Sequence, residues 1–189
     1  MKGATMMQPA GEDGAMGQGG RRPDPAANPA ADPVADADDG TRAEAQALIR
    51  DARFGTLAFT HPDDGLPFAS RIALAPDRGG GLLACLSAIA LHSRALTLAP
   101  DCALLLGEPG PKGDPLTHAR LSLRVHAEWL DPADGSDAPR RAAWRAHHPK
   151  SAVYLDLPDF RFLRLTPRFG LLNGGFGRAA RLGARDLGA

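Results

Sequence analysis

The chain has 189 residues and a formal net charge of zero at pH 7, with 43% hydrophobic and 23% charged residues, enough for one domain with a real core. The charge is uneven: residues 1–40 carry −4 and the rest +4, an excess too mild for a nucleic-acid binder. No apolar run reaches the length of a membrane span and no apolar core of a secretion signal opens the chain, so a cytoplasmic protein is the expectation.

Residues 1–40 are dominated by Gly, Pro, Ala and Asp, with no aromatic residue. Too little apolar surface is available there to offset the entropy of ordering, so a disordered tail is expected. Met6, Met7 and Met16 leave the start codon open. Order is expected from Thr41, where Thr41-Arg-Ala-Glu44 reads as a capping box. Ala45, Leu48, Ile49 and Ala52 then recur at helical spacing. From Phe54 to Thr60 the period is that of a strand, and Asp64-Gly65 marks a hairpin turn. Residues 67–75 return as its partner, and a second turn leads to Leu82–Ser87. Three strands in meander order favour an antiparallel sheet or barrel.

The stretch Pro67–Arg94 holds the densest polar chemistry. Ser70 and Arg71 interrupt an apolar strand, Ser87 ends the next, and His92, Ser93 and Arg94 open a helix. Guanidiniums, hydroxyls and an imidazole near a helix N-terminus suit a phosphate. The plainer alternative is that Arg71 and Arg94 are ordinary rim arginines on an edge.

Residues 88–98 are helical by spacing and end before Pro100. Cys102–Gly107 reads as a short apolar strand buried on both faces. The prolines and glycines of EPGPKGDPLTHAR make a loop. From Leu121 to Leu130, Leu121, Leu123, Val125, Ala127 and Trp129 alternate with polar residues, giving a half-buried strand. Ala138–His147 is a helix with Trp144 on its apolar face and basic residues in its last turns. Phe160–Thr166 and Phe169–Asn173 read as two further strands, and the chain closes with Gly174-Gly175-Phe176-Gly177-Arg178 and a short tail. Six or seven strands with two or three helices outside give a small antiparallel barrel over residues 41–182, with 183–189 as a tail. Cys85 and Cys102 lie in apolar runs and read as buried free thiols.

No nucleophile elbow, Walker sequence or dinucleotide fingerprint occurs. Histidines 61, 92, 118, 126, 147 and 148 lack the spacing of a zinc site, so no metal is expected. Gly174–Gly177 is either a close approach to a flat ligand, with Phe176 stacking on it, or a glycine-rich turn with a core aromatic.

The segments GTLAF, DGLPFASRIALAPDRGGGLLACLSAIALHSRAL, GDPLTHARLSL and GGFGRA, in this order across about residues 44–180, resemble the pyridoxamine-5′-phosphate-oxidase-like FMN-binding split barrels, in particular their haem-utilisation branch. The resemblance implies a six-stranded antiparallel split β-barrel (mainly β, α+β) and a homodimer with FMN at its interface. It implies that Ser70, Arg71, Ser87, His92, Ser93 and Arg94 hold the flavin phosphate. Thr117 and His118 would lie near the isoalloxazine or the partner subunit, and Gly175, Phe176 and Arg178 would approach the cofactor from the last strand. Ala95 replaces an Asn usual in the family, Ala180 replaces an aromatic, and relatives commonly continue into a small C-terminal domain. Two functions are expected to compete: an FMN-dependent oxidoreductase, and a flavin- or haem-binding protein without turnover, haem utilisation or degradation included. Flavin is the expected native cofactor, and His118 and His126 are the residues left to ligate haem. No catalytic acid or base is identified.

Overall fold

In a computed structural model, residues 34–175 and 177–188 are described. In chain order the elements are β1 (Ala35–Asp36), α1 (Asp39–Arg50), β2 (Phe54–Thr60), β3 (Pro67–Ala73), β4 (Ala75–Pro76), β5 (Leu82–Ser87), α2 (Leu91–Leu98), β6 (Asp101–Leu106), β7 (Arg120–Trp129), α3 (Asp137–His147), β8 (Phe160–Asn173) and β9 (Ala179–Gly183). Six long strands run side by side in the order β3-β2-β6-β7-β8-β5, antiparallel at every ladder. No ladder joins β5 to β3, so the barrel is split there. Among the described residues no helix is long and apolar enough to cross a membrane.

Period-two patterning explains the barrel. Leu121, Leu123, Val125 and Ala127 of β7 are buried, as are Leu82, Ala84 and Leu86 of β5 and Leu57 and Phe59 of β2. These inward residues form one core, and α1 adds Ala45 and Ile49 to it. A second, smaller cluster lies on the other face of β5 and β8, where α3 lays Trp144, 1% exposed, onto Phe162 with Cys85, Leu83 and Leu155 around it. Both cysteines are free, and burial pushes each thiol up to about 12, so neither is a nucleophile at neutral pH.

Several expectations need correction. The first helix begins at Asp39, and its cap is Asp38, whose Oδ1 accepts from the Thr41 N–H at 2.7 Å. Thr41 therefore does not cap, because an aspartate three residues earlier already supplies the acceptor. The expected boundary at residue 41 also comes late: Ala35–Asp36 pairs parallel with β9, so the sheet is mixed at that edge. Residues 1–33 of the expected tail lie outside the described residues. Residues 101–106 are not buried on both faces, since Leu105 is 42% exposed.

The two strands read around Pro167 are one strand, β8. Its first half pairs with β5 and its second with β9. Pro167 falls between these halves, at an irregularity where Val125 faces Pro167 and Arg124 faces Phe169, a place where a missing N–H is tolerated. The residues read as a C-terminal tail pack too: a short turn of helix at Ala184–Leu187 buries Leu187 in the main core.

Candidate functional site

The β2–β3 hairpin sets one side of the site. Gly65, at φ 73°, closes its turn, as the Asp-Gly pair predicts. Register places Ser70 opposite Leu57 and Arg71 opposite Thr56. Leu57 is fully buried, so Ser70 faces the barrel interior and Arg71 the outside. On that outer face Thr56 also pairs with Leu105, which puts exposed Leu105 and exposed Phe54 beside Arg71. The Arg71 guanidinium lies 5.4 Å from the Phe54 ring centre and 3.7 Å from Glu108.

The end of β5 and the start of α2 form the second side. Ala90 occupies the N-cap of α2 without a side-chain hydrogen bond, so the helix opens with uncapped N–H groups. Ser93 is 1% exposed, and its hydroxyl donates to the Ser87 carbonyl at 2.7 Å. Ser87 in turn donates to Asp159 Oδ2 at 2.5 Å. His92 is half-buried with its ring edge-on to Phe59, and burial lowers its pKa below the ordinary histidine value. Arg94 reaches Asp63 in the β2–β3 turn at 3.0 Å. Ser87, His92, Ser93 and Arg94 are thus brought together. Arg71 and Arg94 are turned to different carboxylates and share no acceptor.

A separate group forms around α1. The loop before β7 is closed by His118, whose Nδ1 accepts from the Gly110 N–H at 3.3 Å and whose Nε2 lies 2.9 Å from the Lys112 carbonyl. Both ring nitrogens are therefore engaged, with Nε2 as donor. Thr117 donates to the Asp114 carbonyl at 2.7 Å. Gly175, at φ 109°, packs so tightly that a Cβ there would stand 2.9 Å from the Thr117 carbonyl oxygen. Arg178 pairs with Glu44 of α1 at 3.0 Å. Gly175 and Arg178 lie in the turn between β8 and β9, not on the last strand as expected. Phe176 lies outside the described residues.

A cavity of about 500 Å³ between the β4–β5 hairpin and α3 contains none of the expected residues. A cavity of about 420 Å³ runs from Glu44 and Leu48 to Phe54 and Glu108, and one of about 270 Å³ lies beside Gly174 and Arg178. Among the described residues no group of three or more His, Cys, Asp or Glu could hold a metal. Sequence reading missed the four acids that engage the site, Asp63, Glu108, Asp159 and Glu44. Each lies tens of residues from its partner, and no local pattern marks the pairing. His126, on the outer face of β7, holds Asp101 through Nδ1 at 2.7 Å, and this bond lowers the Asp101 pKa.

No protein-family model matches the chain. The chain is similar to the chloroplast heme oxygenase HOZ of Arabidopsis thaliana, 29% identical over 126 residues, which are 66% of this chain and 37% of that protein. A solved heme binding protein from Mycobacterium smegmatis is 28% identical with a TM-score of 0.69, covering 78% of this chain and 59% of that one. The chain thus spans little more than a third of the plant protein and under two thirds of the mycobacterial one. A protein of the pyridoxinephosphate oxidase family from Clostridium acetobutylicum, 14% identical, has the same fold at a TM-score of 0.59, covering 80% of this chain and 99% of its own.

Proposed function

We propose that the chain is a member of the pyridoxamine-5′-phosphate-oxidase-like split-barrel family, in its haem-utilisation branch, and that it binds FMN as a flavin-dependent oxidoreductase. The observation that carries the proposal is the start of α2, with no side-chain cap and with Arg94 on its first turn, together with exposed Arg71 on the outer face of β3. The N–H groups of Leu91 and His92, which no side chain caps, and the exposed guanidiniums fit a dianionic terminal phosphate. Ser93 contributes by packing, because its hydroxyl is committed to the Ser87 carbonyl. Bound FMN would supply the electron transfer, and the chain would anchor its phosphate and orient its ring.

The same proposal includes a homodimer. Phe54 and Leu105, each 42% exposed, put apolar surface beside Arg71 on the outer face of the barrel, where a second copy would cover it. Light scattering at micromolar concentration should return about twice the 19.8 kDa of one chain, and a monomer would count against the shared interface.

A haem reading has one observation of its own. His126 is an imidazole oriented through Nδ1 by a carboxylate, and its Nε2 has no partner among the described residues, which is how axial ligands are commonly supported. His118 does not offer this, because its loop uses both nitrogens. Titration of the purified chain with FMN, riboflavin and haemin separates the readings. FMN should bind far more tightly than riboflavin. A saturable Soret band, one per chain and lost in His126→Ala, would favour haem instead.

A further inference from the structure

Resting on the flavin-phosphate reading above, we propose that three of the chain's own carboxylates, Glu108, Asp63 and Asp159, compete with the incoming phosphate for its donors and so set how tightly the anion is held. Three of the expected donors already have an acid. Glu108 stands 3.7 Å from Arg71, Asp63 accepts from Arg94 at 3.0 Å, and Asp159 accepts from Ser87 at 2.5 Å. The acids come from three places in the chain, just past the end of β6, the β2–β3 turn and the segment before β8.

Carboxylate pairing is common among the described arginines, Arg42, Arg140, Arg145 and Arg164 included, though it is not universal. Arg124 and Arg161 rest on the rings of Phe169 and Trp129, at 5.3 and 5.6 Å, with no carboxylate among the described residues. The two arginine pairs at the site are open to water, with side chains 53–68% exposed, so they break at small cost and the guanidiniums can turn to a ligand. The displaced carboxylates stay within a few ångströms of the phosphate, well inside the screening length, and repel it. Asp159 is held more firmly. Its carbonyl accepts from the Ala88 N–H at 2.7 Å, which fixes its backbone beside the end of β5. The result is a site that a dianion can open and a neutral ring cannot.

The test measures FMN and riboflavin affinity, by quenching of flavin fluorescence at low salt, in the full chain and in Arg71→Ala, Arg94→Ala, Asp63→Asn, Glu108→Gln, the double amide variant and Asp159→Asn. The double amide variant should bind FMN roughly ten times more tightly and riboflavin no differently. The gain should shrink as salt is added. Asp159→Asn should act in the same direction, with its melting temperature compared with wild type to confirm that the β5 end is intact. Arginine variants that weaken FMN while the amide variants leave it unchanged would overturn the competition and keep the phosphate site. FMN affinity unchanged in the arginine variants would overturn the site and the competition together. An equal gain for riboflavin would also overturn the proposal, because the acids would then act on something other than the phosphate.

Discussion

At the start of α2 the polar groups are side chains mounted on regular elements, Ser87 on a strand and Ser93 and Arg94 on a helix. Around the Gly174–Arg178 turn the contact is made by backbone: Gly175 lies against the Thr117 carbonyl at a φ no side chain favours, and His118 ties its own loop to main-chain groups. The first region can be retuned by changing charge, since its ion pairs are exposed and its helix start is uncapped. The second depends on shape, because a Cβ has no room there. Substitutions should therefore act on affinity in one region and on folding in the other.

Gly175→Ala gives the largest expected effect. A left-handed φ costs an alanine about 1–3 kcal/mol, and the Cβ would also push on the Thr117 carbonyl. Thermal unfolding should show a loss of several degrees, and FMN affinity per folded molecule should change little. A variant that melts like wild type would show that the turn yields, and the contrast between the regions would fail.

Arg94→Ala and Arg71→Ala should do the reverse. Each removes a charge-assisted donor to the phosphate and should weaken FMN binding roughly ten- to hundredfold, with the melting temperature nearly unchanged. Arg→Lys should restore only part of the loss, because an ammonium lacks the planar fork. A large drop in melting temperature would make these arginines part of the fold.

Ser93→Ala sharpens the comparison further, because Ser93 sits among the donors yet is built like core. Its hydroxyl is buried and spans from α2 to the Ser87 carbonyl. Losing that bond should cost about 1 kcal/mol of stability and leave FMN affinity within a few-fold of wild type. A large loss of affinity with intact stability would return Ser93 to the phosphate.

The barrel was legible because its strands alternate so regularly. The β7 sequence alone separates Leu121, Leu123, Val125 and Ala127 from the polar residues between them, and all four are buried. The Asp64-Gly65 turn was legible for the same local reason. What failed depended on choices between equals or on distance. Asp38 and Thr41 are both good caps, and only the folded backbone decides which accepts. Pro167 looked like a break, yet β8 passes through it at a place where the ladder is already irregular. Within the site, sequence found the arginines but not their acids, because the Asp63–Arg94 and Ser87–Asp159 pairs form only when the barrel closes.

The smallest expected effect is a pH dependence at the side-chain region. His92 has its pKa lowered by burial, so the folded state holds its proton less tightly than the unfolded chain does. Between the folded value and the ordinary histidine value near 6.5, the unfolded state therefore binds more protons, and stability must fall as pH falls through that window. His148, also lowered by burial, acts in the same direction from the α3 end. The melting temperature should accordingly be lower at pH 5.5 than at pH 7.5, and His92→Gln should remove part of that difference, with His148 keeping the rest. The Gly174–Arg178 turn contains no group that titrates in this range, so Gly175→Ala should shift the whole pH curve without changing its slope. If His92→Gln left the slope as steep as in wild type, the proton would be going elsewhere, and His92 would have no part in setting the acid limit of this region.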